Sequence, residues 1–369
     1  MSGDRDQTAR DVAARAAAAQ NAPGQAAATQ GPTARDAMTL TTLAAGIGLP
    51  QAVLEAATAA LTVQLQGGSP LAAAGTRPDS AAATAAIAPT APATAAAPTS
   101  ATAPATAAAP TAATAASPEP VAPAQTPGVD WPAAYAQALA QTSDTAFHDW
   151  QAACLPLPDP SGLATLGLQL NLAVQANGRY RELGLSDAVY LASMGYFSRT
   201  VRESTAESGR AGFLVRDWSR RQLQLREFRL GSFEYERVGS TINLHIPGDA
   251  DLTTPARLAS YRAAQAFWRE FAGLAVTQLD CESWLLAPVL DRVLKPQSHL
   301  RLFRGDFRLT GSDPAPEDYR KWLFDNDQGP AAGLATRTSL QRGVRDLVLH
   351  GEPIGIGFGV IDLTAILAN

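Results

Sequence analysis

The sequence predicts an α+β fold in which a helical first half precedes a mixed half of strands and helices. Three observations carry this reading. Apolar residues recur at spacings of three and four through 38–66 and again through most of 131–229. From Leu230 onward, segments with period two alternate with helix signals. Between and before these regions, residues 1–37 and 68–128 consist mostly of Ala, Pro, Thr and Gln, with almost nothing that could build a core.

In chain order, 1–37 reads as a disordered arm. The stretch MTLTTLAAGIGLPQAVLEAATAALTVQLQ (38–66) reads as a packed amphipathic helix, with Leu49, Val53, Leu54, Ala57 and Leu61 on one stripe. Closely spaced prolines make 68–128 an extended spacer. Helices are then expected over WPAAYAQALAQ, FHDWQAACL, LATLGLQLNLAVQANGRYRELG, SDAVYLASMGYFSRTVRES and AGFLVRDWSRRQLQLREF, the fourth capped by Ser186. The helical part thus comprises 38–67 and 129–229. LGSFEYERV and STINLHIP, separated by Gly239-Ser240, signal a hairpin. A helix follows, capped by Thr253 or Thr254, with Pro255 in its first turn and Leu258, Tyr261, Ala264, Trp268 and Phe271 on one stripe. LAVTQLDCESW reads as a strand, LLAPVLDRVL as a short helix broken near Pro288, and SHLRLFRGDFRLTG as a strand or tight hairpin. TSLQRGVRDLVLHG is a helix opened by the capping box Thr338-x-x-Gln341, and PIGIGFGVIDL closes the 230–369 half as a strand.

Composition narrows the function. A net charge of −5 argues against a broad nucleic-acid surface. The polar start MSGDRDQTAR is no signal peptide, and no apolar run is long enough to span a membrane. Two cysteines far apart, Cys154 and Cys281, give neither a disulfide framework nor a zinc pattern, so no metal is expected and a cytoplasmic setting fits best.

The most informative stretch is INLHIPGDADL. It ends a strand and opens a helix, and helix N-termini attract anions. Ile246, Pro247, Gly248, Asp249, Ala250, Asp251, Leu252 and Thr253 are therefore a candidate phosphate loop; the alternative is a plain strand-to-helix corner. Asp249 and Asp251 would repel a pyrophosphate unless they point away. Strand parity puts Asn243 and His245 opposite Ile242, Leu244 and Ile246, which makes His245 a candidate base or a structural histidine. Cys281 is a candidate nucleophile, set against a buried inert thiol because Asp280 and Glu282 flank it; Ser283 is a candidate catalytic residue or a helix cap. GIGFGV reads as a strand whose glycine face admits another segment closely. Arg337 reads as a surface ion-pair partner and RDWSRRQLQLRE as a solvated helix face.

Taken together, INLHIPGDADLT, LDCESWLLAPVLDRVLKPQSHLRLFRGDF and RTSLQR resemble bacterial acyltransferase-domain proteins that join a helical N-acyltransferase N-terminal domain to a GNAT-like C-terminal domain. The resemblance covers 161–361 well and 38–66 and 131–160 more weakly. It implies a GNAT-like mixed sheet with flanking helices over 230–369. It also implies acyl-CoA as donor, an amine as acceptor and pyrophosphate at the loop after 241–247. Direct attack on the thioester would need no covalent enzyme intermediate, and a backbone N–H on a splayed strand would meet the oxyanion. The usual Gln/Arg-x-x-Gly-x-Gly/Ala loop is absent here. The alternative is a non-catalytic GNAT-like scaffold or acyl-CoA sensor that works through a protein partner.

Overall fold

Gly48 and Pro50 divide the first helical stretch in the computed structural model, which describes residues 37–73 and 128–368. Thr39 caps α1 (Leu40–Gly46), Gly48 takes φ +66°, and Pro50 opens α2 (Gln51–Gln66), so the helix expected over 38–66 is two. A short α3 (Pro70–Ala73) follows, and Ser69 and Leu71 are buried. The packed chain thus runs past residue 67. Nearly all of the expected arm, and the expected spacer from 74 to 127, lie outside the described residues.

Asp130 caps α4 (Trp131–Leu139) and Ser143 caps α5 (Asp144–Cys154). The central helix α6 (Leu163–Glu182) is buried along most of its length. It crosses α2 closely at Gly167, where a Cβ would stand 2.6 Å from the Ala57 carbonyl oxygen. Ser186 caps α7 (Asp187–Ser208) as expected, accepting from the Val189 amide at 3.3 Å.

The helix expected over 211–228 is not there. Only α8 (Arg220–Leu223) is helical, Leu225 has φ +57°, and a strand has begun by Glu227. Tertiary bonds override the propensity. The Phe213 amide donates to the Ser161 carbonyl at 2.7 Å and Arg216 Nη2 to the Asp159 carbonyl at 2.7 Å, drawing this segment across the start of α6.

The mixed half forms a six-stranded sheet. It contains β1 (Glu227–Leu230), β2 (Phe233–Val238), β3 (Thr241–His245), β4 (Gln278–Ser283), β5 (Arg308–Asp313) and β6 (Ile356–Asp362), in the order β1-β2-β3-β4-β6-β5. The β2–β3 hairpin is the expected one; β1 precedes it as an additional strand. Only β3 and β4 are parallel, and they register at one position, Asn243 opposite Asp280. Their crossover is α9 (Thr254–Ala272), which buries Arg257, Ser260, Tyr261, Ala264 and Trp268. Its aromatics meet one face of the sheet: Phe233 stacks on Tyr261 at 5.7 Å and Phe228 lies 4.8 Å from Phe267.

After β4 the chain makes two 3₁₀ turns, Trp284–Leu286 and Pro288–Arg292, in place of the expected helix. The segment read as a strand or hairpin is instead a helix, α10 (His299–Arg304), followed by β5. Ser298 caps that helix, which is the signal a strand reading passes over. α11 (Asp318–Leu323) and α12 (Ser339–Leu349) follow, the latter with the expected capping box. A short α13 (Leu363–Ala368) after β6 was not foreseen. The glycine face of β6 does admit a close neighbour, since a Cβ at Gly357 would stand 2.3 Å from the Leu286 carbonyl oxygen.

One apolar core runs from Leu40 through α6 and α7 into the α9 face of the sheet. A smaller one gathers Trp284, Leu290, Tyr319, Phe324, Val344 and Ile356.

Candidate active site

The face of β1–β3 turned away from α9 is charged. Phe228, Phe233, Tyr235, Ile242 and Leu244 bury their side chains on the apolar side. Glu227, Glu234, Glu236, Asn243 and His245 alternate with them, and the register sets Glu227 beside Glu236 and Glu234 beside His245. Arg199 and residues of 218–226 meet these acids, which is why acidic side chains can be buried there at all.

His245 ends β3. Its Nε2 lies 3.2 Å from Glu236 Oε2 and 3.6 Å from Glu227 Oε2, and its side chain keeps 22% exposure. The Trp218 indole stands edge-on to the imidazole at 4.9 Å. The same indole donates Nε1–H to Glu227 Oε1 at 3.0 Å, and Gln222 Nε2 donates to that oxygen at 2.6 Å. Arg221 lies over the Trp218 ring at 4.0 Å and reaches Glu236 at 3.3 Å, while Arg226 reaches Glu236 at 3.1 Å. Asp144, at the start of α5, anchors both Arg220 and Arg221 at 2.9 Å.

These contacts set the protonation states. Burial pushes the Glu227 carboxyl up to about 8, against the pull of His245. Burial also pushes Glu236 up, but the His245 hydrogen bond and the Arg221 charge outweigh it and bring this carboxyl down to about 2. For His245, burial disfavours the cation, yet the hydrogen bond to Glu236 and the charges of Glu227 and Glu236 raise its pKa above the ordinary imidazole value. The ligand atoms of Glu227, Glu236 and His245 lie within 4.8 Å of one another, close enough to hold a metal ion. Arg221 and Arg226 already balance Glu236, which disfavours a further cation there.

The loop from Ile246 to Thr253 leaves directly from His245 and enters α9. The Asp251 carboxylate accepts from the Thr253 amide at 2.9 Å, and Thr253 is the N-cap of α9. Asp249 faces the arginines of α7 and β1: Arg229 Nη1 at 2.6 Å and Arg202 Nη2 at 3.5 Å. Asp249, one of the two acids expected to repel a pyrophosphate, is therefore neutralised from outside the loop.

Cys281 and Ser283 do not join this cluster. Cys281 is buried in the core on the Leu279 side of β4, where burial and the neighbouring Glu282 and Asp280 charges raise its thiol far above the ordinary range. Such a shift disfavours the thiolate, the nucleophilic form. Ser283 Oγ accepts from the Leu285 amide at 3.1 Å and so caps the first 3₁₀ turn. Arg337 pairs with Asp325 at 2.8 Å, both exposed.

The run RDWSRRQLQLRE is the largest correction. Ser219, Arg220, Gln222 and Leu223 are buried, and Trp218, Arg221 and Gln222 hold the His245 cluster together. A tryptophan inside the basic run, facing strands whose acids recur at every second position, was the available signal.

A sheet with one parallel, barely paired strand couple, a crossover helix between them and a loop at its N-terminus defines the class of GNAT-like acyltransferase folds. Residues 185–361 match the GNAT-like C-terminal domain family and 104–225 the N-acyltransferase N-terminal domain family, so the chain is an N-acyltransferase-domain protein. A comparison with curated proteins gives no match. Among solved structures the chain is similar to an acyltransferase in complex with decanoyl-CoA and teicoplanin, at 22% identity and TM-score 0.54, covering 63% of this chain and 76% of that one. It is likewise similar to an acyltransferase in complex with CoA and 10C-teicoplanin, at 21% identity and TM-score 0.54, with 63% and 76% covered. The likeness is one of fold. No helix among the described residues is long and apolar enough to cross a membrane.

Proposed function

We propose that this protein transfers an acyl group from acyl-CoA to an amine, with His245 as general base. The observation that carries the reading is the position of His245. It stands at the C-terminal end of β3, immediately before the loop into α9, partly exposed and held between Glu227 and Glu236. The acyl-CoA complexes of the similar solved structures support the choice of donor. In the reaction the amine lone pair attacks the thioester carbonyl, the C–N bond forms, and the C–S bond breaks to release CoA as its thiolate, which takes up a proton from solvent. The nitrogen proton passes to the neutral imidazole. Glu236 then shares the charge of the imidazolium through its hydrogen bond. No step requires Cys281.

The test is release of free thiol from octanoyl-CoA or decanoyl-CoA by purified protein, with and without a panel of primary amines that includes amino sugars and polyamines. Release that depends on the amine supports the reading. Binding of acyl-CoA without amine-dependent release would overturn it in favour of a scaffold or sensor.

A further inference from the structure

Asp249, in the loop after β3, is bound as a ligand would be. Its Oδ1 lies 2.6 Å from Arg229 Nη1 and 4.0 Å from Arg199 Nη1, and its Oδ2 lies 3.5 Å from Arg202 Nη2. None of the three arginines belongs to the loop: Arg199 and Arg202 sit one turn apart on α7, and Arg229 is on β1.

Each of them also has a partner other than Asp249. Arg199 is buried and pinned by Glu234 at 2.8 Å and Glu203 at 3.8 Å. Arg229 Nε donates to the Gly231 carbonyl at 3.2 Å, and Arg202 Nη1 to Ser198 Oγ at 3.3 Å. Asp249 itself is 43% exposed and Arg202 55%, so the cluster opens to solvent. Guanidinium groups fixed by other partners and converging on one carboxylate offer donors that suit a phosphate at least as well.

We propose that Arg202 and Arg229, with Arg199 behind them, form a phosphate-binding cradle that the protein's own Asp249 carboxylate fills until a phosphate group replaces it. The ligand assignment rests on the acyl-CoA reading; the cradle itself does not. The group that replaces it is the pyrophosphate or the 3′-phosphate of CoA, or free inorganic pyrophosphate. The contrary view is that Asp249 tethers the loop to α7 and must stay bound for the loop to keep its shape.

Titration calorimetry on the full chain separates the two, using CoA, dephospho-CoA and inorganic pyrophosphate. Asp249→Ala and Asp249→Asn are expected to tighten pyrophosphate and CoA by about two- to five-fold, the size of one exposed ion pair relieved, and Arg202→Ala to weaken both by a similar factor. Circular dichroism melting verifies that each variant is folded; both Asp249 and Arg202 are exposed enough for substitution to leave the fold intact. A gain shared by CoA and dephospho-CoA assigns the pyrophosphate. A gain confined to CoA assigns the 3′-phosphate, and one confined to inorganic pyrophosphate assigns the free anion. Unchanged or weaker binding of all three ligands by both Asp249 variants would overturn the cradle and leave the tether. If the wild type binds CoA yet transfers no acyl group, the catalytic reading fails and the cradle stands or falls on these affinities alone.

Discussion

His245 cannot be an ordinary imidazole, because the Glu236 carboxylate and the buried Glu227 carboxyl group meet its Nε2. Its raised pKa means that the neutral form needed to accept a proton appears only above the usual imidazole range. The rate constant kcat should therefore rise with pH beyond 6.5, and a profile already flat at pH 6 would count against His245 as the base. His245→Ala should lower kcat by about 10²–10⁴-fold, the usual contribution of a general base, and leave acyl-CoA affinity nearly unchanged. Stability carries a second signature. Glu227, raised to about 8, holds a proton in the folded state that the unfolded chain has released, so it costs stability progressively from the ordinary carboxylate range up through about 8. His245 acts in the same direction: its contribution is complete below the unfolded imidazole pKa and is lost as pH rises through the folded one. Glu236 works the opposite way, supplying stability above the carboxylate range that is lost as pH falls toward about 2. Glu227→Gln keeps an acceptor for Trp218 and Gln222 but cannot ionise. Its melting temperature should fall less than that of wild type between pH 6 and 9, by about 2–4 °C per kcal/mol of ionisation cost relieved. Parallel curves for the two proteins would refute the assignment of a neutral Glu227.

Strand β6 is positioned by what its glycines leave out. At Gly357 a Cβ would stand 2.3 Å from the Leu286 carbonyl oxygen, a backbone atom that cannot move without the 3₁₀ turn that carries it. Gly311 on β5 faces Phe358, and a Cβ there would make an ordinary contact at 3.5 Å. Gly357→Ala should therefore cost about 1–3 kcal/mol in chemical denaturation, as overpacking does, while Gly311→Ala should be nearly neutral. Equal losses would mean that general strand flexibility, and not the close approach of Leu286, explains the glycines. This contact was legible in the sequence because glycine alternating with large apolar residues has a local meaning. So did Ser186, the capping box at Thr338 and the α9 stripe, all of which depend on residues within a few positions of each other. Segment 211–226 was not legible for the opposite reason. Its conformation is set by Ser161 and Asp159, about fifty residues away, and its arginines are buried only because Asp144 and the glutamates of β1 and β2 meet them. The His245 position followed from strand parity, but Glu227 and Glu236 required the strand register, which no local pattern specifies.

The helices and the sheet are built into each other, although the hydrophobic pattern changes near residue 230. Tyr180 of α6 packs edge-on against both Tyr190 of α7 and Phe228 of β1, at 5.2 and 5.7 Å. Phe228 in turn touches Phe267, Trp268 and Phe271 of α9. Ser193 of α7 accepts the Arg229 amide at 3.1 Å, so a helix of the first half binds the backbone of the first strand. Elements sharing one aromatic cluster should unfold together, and the full chain is expected to show a single transition by both near- and far-ultraviolet circular dichroism. A fragment beginning at residue 230 removes β1. It loses Phe228, whose burial alone is worth about 3–5 kcal/mol by analogy with Phe-to-Ala changes in cores, and it uncovers Phe267 and Phe271. It also leaves β2 as a bare edge and strips Arg199, Arg221 and Arg226 from the acidic face. Net stability of a domain is only about 5–15 kcal/mol, so such losses are decisive. Fragment 230–368 should melt without a cooperative transition and bind a hydrophobic dye. A sharp transition with a dispersed amide NMR spectrum would instead make the strand half an independent folding unit, and would shift the role of the helices from completing its core to presenting the acceptor.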